Sequence, residues 1–142
     1  MTRLLNVKDA SPMAQIHKES FFQGWPASDM EVHIHKDLCF GRGRPLEGFI
    51  ILRSSANQAE ILTLAVAPQF RRQGLAREVL EIAETELIEL GVETLFLEVA
   101  EDNEPAIAFY KNSQFSPIGR RPAYYRRAKG RVAALTFQKG LS

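Results

Sequence analysis

The sequence holds a single cysteine, Cys39, among 142 residues. One thiol excludes an intramolecular disulfide and suits a reducing cytoplasm. Histidine is scarce as well: His17, His33 and His35 all fall in the first quarter, and no Cys/His cluster has zinc spacing, so no metal is expected. No apolar run approaches the ~20 residues needed to span a bilayer, which argues against a membrane partner. Met1 to Val7 carries one arginine and two leucines before polar residues resume, which is not the pattern of a secretory leader. Repeats and low-complexity tracts are absent, and no linker divides the chain, so a single domain over residues 1–142 is expected.

Excess charge is also lacking, with a net of +1, but the balance is uneven. Arg120, Arg121, Arg126, Arg127, Lys129 and Arg131 fall in twelve residues without an acid; this local +6 leaves −5 for the remainder. A nucleic-acid binder is not divided this way, so direct nucleic-acid binding is not expected. At 45% hydrophobic and 25% charged, the composition is that of an ordinary globular protein with enough core to need no staples.

Periodicity supplies the elements. Arg3 to Val7 reads as a short strand, and Asp9-Ala10-Ser11-Pro12 as the start of a helix. Ser28, with Glu31 three residues on, has the pattern of a capping box opening a second helix. Between them, Phe21-Phe22-Gln23-Gly24-Trp25-Pro26 is too aromatic for a plain solvent loop and is expected to pack on the core or line a site. Gly41-Arg42-Gly43-Arg44-Pro45 is turn chemistry between two apolar runs, and Phe49 to Arg53 and Ile61 to Val66 are strand candidates. Leu75, Val79, Ala83, Leu87 and Leu90 recur at helical steps up to Gly91, a C-terminal cap. Thr94 to Val99 alternates as a strand, Asn103 to Ser113 reads as a short helix, and Ser116 to Arg120 and Val132 to Gln138 close the chain as strands. Helices mixed with hairpins predict an α/β (α+β) fold, a mixed sheet with helices covering its faces.

One segment carries chemistry. Pro68 ends the strand Leu64-Ala65-Val66, and Arg71-Arg72-Gln73-Gly74-Leu75-Ala76-Arg77 turns into the long helix. The first N–H groups of a helix have no intrahelical partner and lie at the positive end of its dipole, so they favour a diphosphate. Three arginines there oppose the dipole, which suits an anion site better than a bare cap. The earlier Gly41-x-Gly43 opens no helix and matches neither a dinucleotide fingerprint nor a P-loop.

With Arg71-Arg72-Gln73-Gly74-Leu75-Ala76 matching Arg/Gln-x-x-Gly-x-Gly/Ala, the chain resembles the GCN5-related N-acetyltransferase (GNAT) superfamily. Further marks are Leu97-Glu98-Val99, Asn103 with Ala106, Phe109-Tyr110, and Arg120-Arg121 before Tyr124-Tyr125. Within the superfamily the likeness is greatest to the branch that acetylates the N-terminal alanine of small-subunit ribosomal protein eighteen. The resemblance implies acetyl-CoA as cosubstrate, held where two parallel strands ending near Val66 and Val99 splay apart. It implies that Leu64, Ala65 and Val66 pair with the thioester and pantetheine arm, and that Arg71, Arg72, Gln73, Gly74, Leu75, Ala76 and Arg77 hold the pyrophosphate. It also implies that Asn103 contacts the cofactor, that Glu98 is the proton acceptor, and that Tyr110 is the proton donor to the sulfur. The implied acceptor is a protein or peptide N-terminus, and the reaction is a direct attack with no acyl-enzyme; Cys39 has no partner that would make it a nucleophile.

Gln114 stands where relatives carry glycine before the phenylalanine that follows this helix, so a left-handed backbone there would cost roughly 1 kcal/mol. The basic run around Tyr124 and Tyr125 is read as a loop that also borders the acceptor site. The alternatives are an acetyltransferase for small amines or lysine, and a non-catalytic acyl-CoA-binding module.

Overall fold

The computed structural model describes residues 2–21 and 23–142; Met1 of the N-terminal stretch and Phe22 of the aromatic segment lie outside the described residues. Seven strands form one sheet: β1 (Thr2–Leu4), β2 (Leu38–Arg42), β3 (Gly48–Ser55), β4 (Gln58–Val66), β5 (Thr94–Ala100), β6 (Ser116–Arg127) and β7 (Gly130–Gly140). Their spatial order is β1-β2-β3-β4-β5-β7-β6. All neighbours run antiparallel except β4 and β5. A parallel pair needs a crossover, and the long helix α3 (Leu75–Glu89) supplies it. The other helices are α1 (Ala10–Ser20), α2 (Ala27–Lys36) and α4 (Glu104–Asn112).

The sheet has a core on each face. On one, Leu75, Val79, Leu80, Ala83 and Leu87 of α3 and Tyr110 of α4 pack on Ile50, Leu52, Leu95, Leu97 and Val99. On the other, Met13 and Ile16 of α1 and Met30 of α2 pack on Phe49, Ile51 and Ala65. Each such aliphatic side chain, removed from water, contributes roughly 1.5–3 kcal/mol before chain entropy is set against it.

Three local expectations are corrected. β1 stops at Leu4, because Asn6 and Asp9 cap each other's backbone N–H groups and turn the chain through Val7–Asp9. The second helix starts at Ala27 with Pro26 at its cap and makes no side-chain capping bond, so Ser28 and Glu31 form no capping box. The basic segment is strand rather than loop: β6 runs to Arg127 and turns tightly into β7.

Where β4 and β5 part company

β4 and β5 pair only from Gln58↔Thr94 to Ile61↔Leu97. At that point the register of β3 on β4 shifts, with Ile51 opposite Thr63 and Leu52 opposite Ile61, leaving Leu62 as an extra residue. Such a bulge bends a strand and re-aims its side chains. Beyond it, Leu62–Val66 and Glu98–Ala100 diverge, and a cleft of about 1090 Å³ opens between them.

Candidate active site

The splayed strands set the geometry. Leu64 lines the cleft and packs with Val66 on the α3 face, while Ala65 is buried on the α1 face. All three lie past the last β4–β5 pair, so their edge toward β5 is open. The Val66 carbonyl accepts from Arg71 Nε at 3.0 Å, and Arg71 Nη2 donates to Ser20 Oγ at 3.1 Å. Arg71 therefore ties the end of α1 to the turn after β4 rather than projecting free.

That turn is shaped for an anion. Arg72 (φ 62°) and Gly74 (φ 78°) both have left-handed backbones. Gly74 caps α3 without a side-chain bond, leaving the N–H groups of Leu75, Ala76 and Arg77 with no intrahelical carbonyl. A Cβ built on Gly74 would meet nothing within 4 Å, so the approach to these donors is open. Gln73 Nε2 bonds back to the Gln69 carbonyl and steadies the turn. Arg72 is exposed, and the Arg77 side chain follows it onto the first turn of the helix. The donor set fits a diphosphate.

Glu98 and Tyr110 line the same cleft from opposite faces of the sheet. β5 alternation buries Leu97 and Val99 against α3 and sends Glu98 the other way. The Glu98 side chain keeps 18% exposure, and its Oε2 meets Arg121 Nη2 at 3.2 Å and the Thr136 hydroxyl at 3.4 Å. Tyr125 donates to the Glu98 carbonyl at 3.3 Å. Burial, then nearby Glu98, pushes the Tyr125 phenol up to about 12. Tyr110 is almost fully buried, edge-on to Phe109 and Phe115, and burial holds its phenol well above the ordinary value, with Tyr125 adding. Asn103 lines the cleft while its Oδ1 accepts from Ala106 N at 3.3 Å, capping α4.

The far wall comes from the aromatic segment, whose Phe21, Gln23, Gly24 and Trp25 line the cleft as expected, and from two histidines that sequence reasoning assigned no role. His17, Trp25 and His33 form a stacked run, with ring centroids 4.5 Å apart for His17–Trp25 and 5.2 Å for Trp25–His33. Tyr124, Tyr125, Arg126 and Arg127 of β6 complete the rim, so the basic segment does border the cleft. Arg120 and Arg127 are held by Glu101 and Asp102, which ties the hairpin to the end of β5. Nothing local marks His17 in the sequence; only its four-residue spacing from Phe21 hints at the stack. Among the described residues, no group of three or more His, Cys, Asp or Glu side chains could hold a metal ion, and no helix is long and apolar enough to cross a membrane.

A mixed sheet with a gap between its two parallel strands, and a basic turn opening the crossover helix, is the frame of an acetyltransferase domain. The profile of the Acetyltransferase (GNAT) family matches residues 10–115, and the chain belongs to that family. Among individual proteins, it is 38% identical over 97 residues to ribosomal protein bS18-alanine N-acetyltransferase of Escherichia coli. That stretch covers 68% of this chain and 66% of the relative, just under two thirds of the latter's length. The crystal structure of the ribosomal-protein-S18-alanine N-acetyltransferase from Escherichia coli superposes with a TM-score of 0.92 at 28% identity, covering 100% of this chain and 94% of that one. The fold is shared as well with Arabidopsis thaliana NAA60 in complex with acetyl-CoA, at a TM-score of 0.87 and 20% identity, covering 99% and 97%.

Proposed function

We propose that the protein is an acetyl-CoA-dependent N-alpha-acetyltransferase whose acceptor is a protein N-terminus, an N-terminal alanine of a ribosomal protein foremost. The observation that carries this reading is a pair of features at the β4–β5 divergence: unpartnered N–H groups where α3 opens after β4, and a carboxylate and a phenol that both line the cleft between the two strands. Likeness to the bacterial alanine acetyltransferases supports the acceptor class.

Leu75, Ala76 and Arg77 would hold the diphosphate of acetyl-CoA with their N–H groups, and Arg72 would add charge. The open edge of Leu64 to Val66 would align the pantetheine arm, and Asn103 would border it from the other wall. Bound there, acetyl-CoA supplies an activated acetyl group. Glu98 takes the proton from the attacking amine, directly or through a water. An α-amino group, with a pKa near 7.7–8.0, is already about a tenth neutral at pH 7, whereas a lysine amine near 10.4 is far less so. A carboxylate base is therefore adequate for an N-terminus. Tyr110 donates to the departing sulfur. With its phenol raised by burial, the hydrogen bond does more than outright proton release, so positioning matters most.

A peptide panel tests the reading. Acetyl-CoA is incubated with peptides bearing a free α-amine, a blocked α-amine, or lysine amines alone, and products are located by tandem mass spectrometry. Acetyl on the α-nitrogen only is the expected result. Acetyl on lysine, or CoA binding without transfer to any peptide, overturns it in favour of the lysine enzyme or the binding module.

A further inference from the structure

His17 has no part in the chemistry above, yet it is a buried titratable group on the wall of the same cleft. The rings of Phe21 and Trp25 stack on its imidazole at 4.4 and 4.5 Å, fixing the ring plane. The Trp25 backbone N–H donates to Nδ1 at 3.1 Å. Nδ1 is therefore the acceptor nitrogen, and the proton of the neutral ring lies on Nε2. Burial, with His33 adding, pulls the ring's pKa down to about 4, so the ring is neutral near pH 7. Nε2 is not among the buried atoms left without a partner, and His17 lines the cleft, so this nitrogen is the ring's open donor.

A second polar group on this side of the cleft, unlike Nε2, is sealed from solvent without a partner. Thr63 is 6% exposed, and its Oγ1 has no hydrogen-bond partner among the described residues. Its cross-strand neighbour Ile51 belongs to the core under α1, so the Thr63 side chain shares the face of His17. Of the buried polar atoms without a partner among the described residues, Thr63 Oγ1 alone belongs to a residue of the cleft wall, so it has hydrogen-bonding capacity there that the fold does not use.

The cleft's substrates suggest that partner. An amine at the head of a peptide has a carbonyl one carbon further on, whereas a lysine or simple alkyl amine has only methylenes at that distance. We propose that His17, with Thr63 on the same wall, recognises the first carbonyl of the acceptor and so selects α-amino amides over other amines. The inference rests on the acceptor reading above and names the groups that enforce it. A hydrogen bond of this kind is worth roughly tenfold in kcat/KM.

The test compares an alanyl peptide with the same peptide whose first amide is reduced to a methylene amine. The readout is the ratio of the two kcat/KM values. The wild type should favour the carbonyl substrate. In His17→Asn, which keeps an acceptor near Nδ1 but lacks the distal donor, the ratio should fall about tenfold, and His17→Gln should restore part of it. Thr63→Val, nearly isosteric, should lower the same ratio about threefold. Equal losses on both substrates in the His17 variants would assign the residue to packing and overturn the inference. An unchanged ratio in both His17→Asn and Thr63→Val overturns it too. A wild type inert toward both substrates overturns the acceptor reading, and this inference with it.

Discussion

Gln114 holds a left-handed backbone that glycine would adopt without strain, and replacing it with glycine should raise stability without touching activity. The helix α4 ends in a paired hydrogen-bond motif: Gln114 N–H bonds to the Lys111 carbonyl at 3.1 Å and Phe115 N–H to the Tyr110 carbonyl at 3.0 Å. The Phe115 ring then lies edge-on to Tyr110, 5.5 Å between centroids. This motif places the residue after the cap in a left-handed conformation, and Gln114 has φ 76°. A side chain there costs about 1–2 kcal/mol, while glycine gives back about 0.4–1 kcal/mol through the freer unfolded chain. The net gain is about 0.8 kcal/mol, a rise in Tm of roughly 3 °C for a chain of this size. Helix α3 provides the reciprocal case, since Gly91 (φ 88°) bonds to Ile88 at 3.0 Å and Val92 to Leu87 at 3.0 Å in the same pattern. A Cβ at Gly91 would meet nothing within 4 Å, so Gly91→Ala should lose about what Gln114→Gly gains, through φ alone. Thermal and urea unfolding read both. A lower Tm in Gln114→Gly, or a neutral Gly91→Ala, would refute the reasoning.

Other outcomes follow from the same structure. Glu98→Gln and Tyr110→Phe should each lower turnover at least tenfold while CoA affinity by calorimetry stays within twofold; full activity in the double variant would remove both from the chemistry. His17 has a native pKa of about 4 against an ordinary 6.5, so the unfolded chain binds a proton that the native one does not between those values. Its contribution is complete above pH 6.5 and lost as pH falls to about 4, on the order of 3 kcal/mol, and His17→Asn should flatten a urea-midpoint profile across that window. Thr63→Val removes an unpartnered buried hydroxyl and should raise unfolding free energy by about 1 kcal/mol; a loss of stability would mean that the hydroxyl has a partner in solution.

Much of the fold was legible because burial imposes period. α3 shows five apolar residues on one side, and β5 alternates, so each declares its type and its buried face. The strand β6 was legible only over Ser116 to Arg120: from there to Arg127 most residues are exposed, the arginines lie on both faces, and Pro122 interrupts the run. It is held by backbone pairing to β7 at the edge of the sheet, which leaves no side-chain pattern. Ser28 and Glu31 misled because a capping pattern states only that a cap is chemically available; the cap of that helix is Pro26, two residues before Ser28. At the candidate site, the turn proposed to hold an anion was visible in one contiguous segment. The contacts of Glu98 with Arg121 and Thr136 join residues distant in sequence, and no local spacing announces them; the stack around His17 is local, but only its four-residue step to Phe21 hints at it.

Coenzyme A should seat its diphosphate on the backbone amides that open α3. Hydrogen exchange with and without CoA measures those amides directly. With that seating, exchange should slow at Leu75, Ala76 and Arg77, with little change at the far end of the helix. Unaltered exchange across that turn at saturating CoA, or protection confined to another surface, would contradict it.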